Sequence, residues 1–404
     1  MQDISTQMIS GYRAHPKFSF PAPSWEIPSD VLDTFNQAYS VIHAMGYKLT
    51  EKSFGALRRS CSESLAAIFS AMHAQCADGH ETHFLNELKG QCDRLLAEEL
   101  AWYGKKRPAM QVDLSPQANR ENALLLDAQR HYFGQLPKAA VDELRAIAAE
   151  QVDIFRANAA AGKLTRNDLS VNTGPVVARI RAVLNREFKA LGVMDALGAY
   201  TGRKLKVVGL ALELSVPQAT WWRNAIDGME RPPDTLYAHL DETVSCPKSI
   251  VYLTDVRPEN GATSCYPKAY EAMRLSPLQE LIGRVVGYIG ANANSPLHEY
   301  YAKNYHQSVN SERFRRHFMR LPDALRFNSH MGWDVVPGSE LEAALAAQEM
   351  TMTGPAGTFI IFDGGRLFHR GGMVQQGERV ALQVIFSDLT LPQRVLGKLT
   401  RMLA

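Results

Sequence analysis

Cysteine is scarce in this sequence, and no cysteine pair has the spacing of a metal site or a redox motif. The five cysteines are Cys61, Cys76, Cys92, Cys246 and Cys265, and none forms a C-x-x-C motif. An odd number of scattered thiols is typical of a reducing compartment and argues against a structural zinc site. We therefore expect reduced thiols and a cytoplasmic protein.

Long apolar runs are also missing. No run of about 18 apolar residues occurs, and the first residues, MQDISTQMISGYRAHPKF, hold no apolar signal core. The sequence therefore predicts no membrane association.

Neither sign of charge dominates the composition. The chain of 404 residues has 44 Lys and Arg against 42 Asp and Glu, a formal net charge of +2. Proteins that bind nucleic acid usually carry a basic stripe, and the one dense basic segment, residues 313–317, is interpreted as a solvated helix face. We expect no nucleic-acid partner.

The first part of the chain does carry apolar residues at helical spacing, as in Phe35, Tyr39 and Ile42. This spacing predicts an almost wholly helical N-terminal extension over residues 1–125.

Short β-branched runs bounded by Gly, Pro and Asn dominate the second half. They are LKVVGLALELSV at 205–216, SIVYLT at 249–254, TFIIF at 358–362 and VALQVIF at 380–386. Such runs predict a mainly β core, a double-stranded β-helix or jelly roll, in a chain that is α+β overall. We place this domain at 126–404, with outer helices and an insertion at about 271–350.

His239, Asp241 and His369 are the candidate metal ligands. Two imidazoles and one carboxylate can hold Fe(II) on one face and leave the opposite positions for substrate and oxygen. His239 and Asp241 are two residues apart, which on a β-strand places both side chains on one face. An H-x-[DE] tripeptide is expected about once by chance here, so the interpretation depends on His369 and the surrounding strands.

Arg379 follows His369 by ten residues and opens an apolar run. A guanidinium matches a carboxylate bidentately, so Arg379 is the candidate for the distal carboxylate of 2-oxoglutarate. Arg366 and Arg370 are weaker candidates for this carboxylate, and either could pair with Asp363 or contact the substrate. Tyr237 should face the same side as His239 and pack against the cosubstrate.

The insertion contains rival histidines. They are His298, His306, His317 and His330, and none is followed by a suitably placed arginine that opens an apolar strand.

Residues 205–390 resemble the phytanoyl-CoA dioxygenase-like, or ectoine hydroxylase-like, branch of the Fe(II)/2-oxoglutarate-dependent oxygenases. The shared features, in order, are His239-Leu240-Asp241, Leu253-Thr254-Asp255, Asn260-Gly261, Pro267, Gly357, a strand ending in Asp363, His369 and Arg379. The resemblance implies Fe(II) held by the two histidines and Asp241, with 2-oxoglutarate on Arg379 and O2 as cosubstrate. Residues 1–130 have no counterpart in it.

The activity that the resemblance implies is hydroxylation of an unactivated carbon with release of succinate and CO2. Related halogenases replace the carboxylate ligand by a small residue, so Asp241 favours hydroxylation, or another oxidation such as desaturation. The substrate would be a small molecule, such as an amino acid or an acyl group linked to a carrier or CoA. Trp221, Trp222 and Arg223, in a loop before His239, are candidate substrate residues, and together with the insertion they would cap the iron.

Two other classes of function stay open. One is a cupin-type metal dioxygenase or isomerase that does not use 2-oxoglutarate, which Arg379 argues against. The other is a non-catalytic barrel binding protein, which the intact set of ligands argues against. Succinate production distinguishes the first, and the sequence predicts no oligomeric state.

Overall fold

The structure is a computed structural model that describes residues 25–45, 48–111, 117–217, 238–241, 247–288, 320–326 and 338–388. Several predicted residues lie outside these ranges: Trp221, Trp222, Arg223, Tyr237, Cys246 and the four histidines of the insertion. No helix within these ranges is both long and apolar enough to cross a membrane.

Among the described residues, four helices precede the first strand. They are α1 (Ser29–Met45), α2 (Glu51–His73), α3 (Gly79–Gln111) and α4 (Gln117–Gln129). Thr50 caps α2, because its hydroxyl accepts a hydrogen bond from the backbone N–H of Ser53 at 3.2 Å. One stripe of α2, with Leu65 and Ile68, is fully buried against α1 and α3. The helical spacing thus buries a single apolar face, and the domain boundary near residue 125 stays a prediction.

A six-stranded sheet follows, with strand order β1-β7-β4-β9-β3-β2 and only antiparallel pairs among its described strands. The strands are β1 (His131–Gln135), β2 (Ser170–Val171), β3 (Lys206–Ser215), β4 (Pro247–Tyr252), β7 (Thr358–Asp363) and β9 (Arg379–Ser387). A smaller sheet has the order β6-β5-β8, from β5 (Ser264–Tyr266), β6 (Met350–Thr351) and β8 (Phe368–Arg370). The mixed helical and antiparallel architecture agrees with the predicted class, and the jelly roll itself stays a prediction.

Helices surround the sheets. They are α5 (Lys138–Ala160), α6 (Arg166–Leu169), α7 (Pro175–Ala190), α8 (Val193–Thr201), α9 (Ala269–Met273), α10 (Pro277–Tyr288) and α11 (Glu340–Ala346). Pro175 occupies the first turn of α7, where its missing N–H costs nothing. Phe188 of α7 packs edge-on against Phe359 at 5.3 Å between ring centroids, which fixes that helix on the outer face of the large sheet.

The two faces of the large sheet differ in chemistry. Leu212, Leu382 and Val251 point to the helical side and are fully buried in the main core. Because side chains alternate along a strand, the residues next to them point the other way, towards the small sheet. Arg379 and Lys248, three positions from Leu382 and Val251, share that direction, so charged side chains lie between the two sheets beside a smaller apolar cluster.

Candidate functional site

A pair of backbone hydrogen bonds brings the two candidate histidines together. His239 N–H donates to His369 O and His369 N–H donates to His239 O, each at 3.0 Å. The sequence predicted a strand at His239, whereas the structure shows an isolated antiparallel bridge to His369 of β8. The two reciprocal hydrogen bonds hold the backbones of the two histidines next to each other without a longer run of strand pairing.

The three predicted ligands converge on one point. One donor atom from each of His239, Asp241 and His369 lies within 4.8 Å of the others. His239 Nε2 is 3.9 Å from Asp241 Oδ1, and His369 Nε2 is 3.7 Å from Asp241 Oδ2. The fold therefore brings together three donor atoms whose residues are up to 130 positions apart in the chain.

His369 is oriented for ligation by its own second nitrogen. Its Nδ1 lies 2.9 Å from the carbonyl oxygen of Leu367. A proton on Nδ1 would donate to that carbonyl and leave the Nε2 lone pair directed towards Asp241. Burial lowers the pKa of His369 to about 3, with Asp241 opposing the shift. The imidazole is therefore neutral at ordinary pH, the state in which it binds a metal.

Lys248 is a member of this cluster that the sequence analysis did not identify. Its Nζ lies 2.6 Å from Asp241 Oδ2. Burial alone would raise the pKa of Asp241, but Lys248 and the two histidines hold it well below its usual range. The carboxylate is therefore ionised, and the lysine ammonium stands beside the position a metal cation would take.

A tight turn closes one side of the cluster. Asp241 N–H donates to the carbonyl oxygen of Gly364 at 2.7 Å. A Cβ added at Gly364 would lie 1.8 Å from Asp241 Oδ2, so only glycine leaves room for the carboxylate. The backbone hydrogen bond thus holds Asp241 in place, and the lack of a side chain at Gly364 leaves space for its carboxylate.

Arg379 lies in the same cavity as the three ligands, which has a volume of about 360 Å³. Its Nη2 donates to Ser215 Oγ at 3.1 Å, and its Nη1 donates to the carbonyl oxygen of Gly261. Gly261 has a positive φ of 76°, as the predicted Asn-Gly turn requires. Burial lowers the pKa of Arg379, with Tyr252 and Glu213 opposing this.

Glu213 is a second charged residue of the cavity that the sequence analysis missed. Its carboxylate accepts a hydrogen bond from Gln383 Nε2 at 2.6 Å and lies 3.9 Å from Arg166 Nη2. Burial raises the pKa of Glu213, although Arg166 and Arg379 act against the rise. The cavity therefore holds a buried acid beside the arginine proposed to bind an anion.

The two weaker candidates have partners of their own. Arg370 binds Glu349 with Nη2 at 2.7 Å from the carboxylate. Arg366 is buried behind the turn, and its Nε lies 3.8 Å from Asp363 Oδ2. The predicted pairing with Asp363 is thus found for Arg366.

The donor set fits a divalent iron. Two imidazole nitrogens and one carboxylate are borderline and hard donors, which suit Fe(II) with open positions. No thiolate from the described part of the chain joins them, and Cys265, the described cysteine nearest in sequence, is not part of the cluster.

The chain matches no protein-family model and no curated protein. Its structure resembles EctD from S. alaskensis, with 15% identity over 69% of this chain and 81% of that one, at a TM-score of 0.38. It also resembles the non-heme α-ketoglutarate-dependent epimerase SnoN from nogalamycin biosynthesis, with 15% identity over 68% and 85% of the two chains, at a TM-score of 0.36.

A third similar structure is AviO1 from Streptomyces viridochromogenes Tue57, with 12% identity over 69% of this chain and 97% of that one, at a TM-score of 0.34. Other structures of EctD contain bound Fe, or 2-oxoglutarate with 5-hydroxyectoine. Identity and TM-score are low throughout, so a function for this chain has to come from its own residues.

Proposed function

We propose that this protein is an Fe(II)/2-oxoglutarate-dependent oxygenase that hydroxylates a small-molecule substrate. The observation that carries the proposal is the convergence of His239, Asp241 and His369 within 4.8 Å. Bound iron would supply the activation of O2, coupled to decarboxylation of 2-oxoglutarate to succinate and CO2.

The three ligands leave room on the cavity side. All three line the same cavity, so cosubstrate and substrate can approach the metal position from it. Asp241 supplies the one negative charge among the ligands, and the neutral imidazoles add none. Two positive charges of the metal would then be only half compensated, which favours an anionic cosubstrate next to the metal.

Arg379 is the proposed site for the distal carboxylate of 2-oxoglutarate. Ser215 and the Gly261 carbonyl hold its guanidinium in one orientation. An arginine buried in a cavity is costly unless an anion pairs with it. A carboxylate ligand matches the guanidinium in charge and in planar geometry.

The substrate is proposed to carry an anionic group. Lys248, Arg166 and Arg370 also line the cavity, which gives it more basic than acidic side chains. Cationic walls favour substrates such as amino acids or acyl groups linked to an anionic carrier. The volume of about 360 Å³ admits one small molecule beside 2-oxoglutarate.

The test is anaerobic reconstitution with Fe(II) and 2-oxoglutarate, followed by exposure to O2. We expect a visible absorption band when both are bound, and O2-dependent release of succinate. Iron binding without any effect of 2-oxoglutarate on the spectrum or on succinate release would contradict the proposal and favour a metal dioxygenase of another type.

A further inference from the structure

A second cluster of charged residues lies buried behind the metal-binding turn. Glu99 of α3 is 0% exposed, Arg284 of α10 is 1% exposed, and Arg366, which follows β7, is 3% exposed. Glu99 Oε1 lies 3.2 Å from Arg366 Nη2 and also pairs with Arg284 Nη1. One carboxylate oxygen from the N-terminal helices thus binds two guanidinium groups.

Helix α3 holds Arg366 on a second side. The guanidinium carbon of Arg366 lies 4.4 Å from the ring centroid of Trp102 and 5.2 Å from that of Tyr103. Cation–π contacts of this kind are strongest where the cation is removed from water. Three residues of α3, Glu99 and the two aromatics, therefore fix the position of one arginine.

Arg366 belongs to the turn that carries the metal site. Its Nε approaches Asp363, whose Oδ2 also accepts a hydrogen bond from Tyr200 Oη at 2.7 Å. The same turn contains Gly364, which accepts the backbone hydrogen bond from Asp241, and it continues into His369. The turn lies between the charged cluster on one side and two of the three metal ligands on the other.

We propose that Glu99 is a positioning residue of the metal centre, which acts through Arg366 on the turn that places Asp241 and His369. The inference rests on the proposed function, because it assigns Glu99 a role in the affinity for a metal. The proposal also connects the N-terminal helices to the site, because Glu99 of α3 is the carboxylate that holds Arg366 and hence the metal-binding turn. Outer partners of metal ligands usually change metal affinity when they are replaced.

The experiment is a titration of the purified 404-residue chain with Co(II), whose visible absorption reports both affinity and ligand geometry. Glu99→Gln keeps the size of the side chain and removes its charge, and we expect about tenfold weaker Co(II) binding with an altered spectrum. The matched control is Glu280→Gln, which removes a buried acid 3.5 Å from Arg284 without an ion pair to Arg366. We expect this control to bind Co(II) as the wild type does.

Two gentler variants keep the test valid if Glu99→Gln does not fold. Tyr200→Phe removes one hydrogen bond to Asp363, and Arg366→Lys keeps the charge but loses the planar contacts. Both should weaken Co(II) binding by a few-fold and shift its spectrum in the direction seen for Glu99→Gln. Leu65→Ala, in the core of α2, provides a stability-matched reference in which only the melting temperature should fall.

The outcomes separate the two proposals. If the wild type binds no Co(II), or if His369→Ala binds it equally well, the metal site and hence the proposed function are wrong. If the wild type binds Co(II) but the variants of Glu99, Arg366 and Tyr200 bind it as tightly as the controls do, the metal site stands. Glu99 would then contribute to stability alone, and the inference would be overturned.

Discussion

Two buried polar clusters lie on either side of the segment from Asp363 to His369, and they differ in how their charges are balanced. In the cluster around Glu99, carboxylates and guanidiniums from α3, α10 and the turn after β7 neutralise one another. In the cluster around Asp241, one carboxylate faces two imidazoles and the ammonium of Lys248.

The difference separates a structural cluster from a candidate metal site. The Glu99 cluster has fixed cations and lies fully inside the protein, so a metal ion would meet positive charge there. The Asp241 cluster adjoins a cavity, and its one cation sits at the end of a flexible lysine side chain. A buried acid alone does not indicate a metal site, whereas an acid grouped with two imidazoles beside a cavity fits one.

The largest expected effect comes from removing a ligand. His369→Ala should abolish Co(II) and Fe(II) binding and turnover while leaving the fold largely intact, because a ligand at the cavity contributes little to the core. The control is His131→Ala, which removes a buried histidine of β1 outside the cluster. Calorimetry that shows unchanged affinity in His369→Ala would reject the assignment and favour His330 as the third ligand.

The next effect concerns the cosubstrate. Arg379→Lys keeps the positive charge but loses the bidentate geometry of the guanidinium. The 2-oxoglutarate concentration for half-saturation should rise on the order of a hundredfold, with metal affinity unchanged. The check is a titration of the iron-loaded protein with 2-oxoglutarate, with Arg370→Lys as control. If Arg370→Lys carries the loss instead, the binding role belongs to Arg370.

A smaller effect should follow from replacing the lysine of the cluster. Lys248→Met removes a positive charge 2.6 Å from Asp241, so Co(II) should bind several-fold more tightly. Lys206→Met, at an exposed position of β3, is the control for a change in net charge. Weaker binding in Lys248→Met would show instead that the lysine holds Asp241 in its ligating position.

The smallest effect is one of stability and depends on pH. Because the pKa of Glu213 is raised in the folded protein, its contribution to stability is present at low pH and is lost as pH rises through that pKa. Glu213→Gln imitates the protonated form, so it should raise the melting temperature at pH 7 to 8 and have less effect near pH 4. Glu150→Gln, at an exposed position of α5, is the control for the loss of one carboxylate.

Much of the fold was predictable because its signals are local. Apolar runs predicted β3, β4, β7 and β9 to within a few residues, since alternation and β-branching act on neighbouring positions. Strand β1, with the sequence HYFGQ, was not predicted. It is short and polar at both ends, and it depends on its register with β7, from His131 opposite Phe362 to Gln135 opposite Thr358.

The candidate site divides in the same way. His239, Asp241, His369 and Arg379 could be selected because their order and the adjoining strands follow a pattern. Lys248 could have been found from its position in line with Ile250 and Tyr252, had the predicted strand begun two residues earlier.

The contact of Glu99 with Arg366 spans 267 positions and has no local signal. Only the packing of α3 against the turn brings these two charges together, so no pattern among sequence neighbours could have predicted the pair.

The close approach of Gly364 to Asp241 has a consequence for variation in this chain. Position 364 contributes no donor atom, yet any side chain there would occupy the space of the carboxylate. A survey of random variants selected for activity should therefore find this glycine as intolerant of change as the histidines themselves. Such a survey would make Gly364 look like a catalytic residue, although its role is only to leave space for the Asp241 carboxylate.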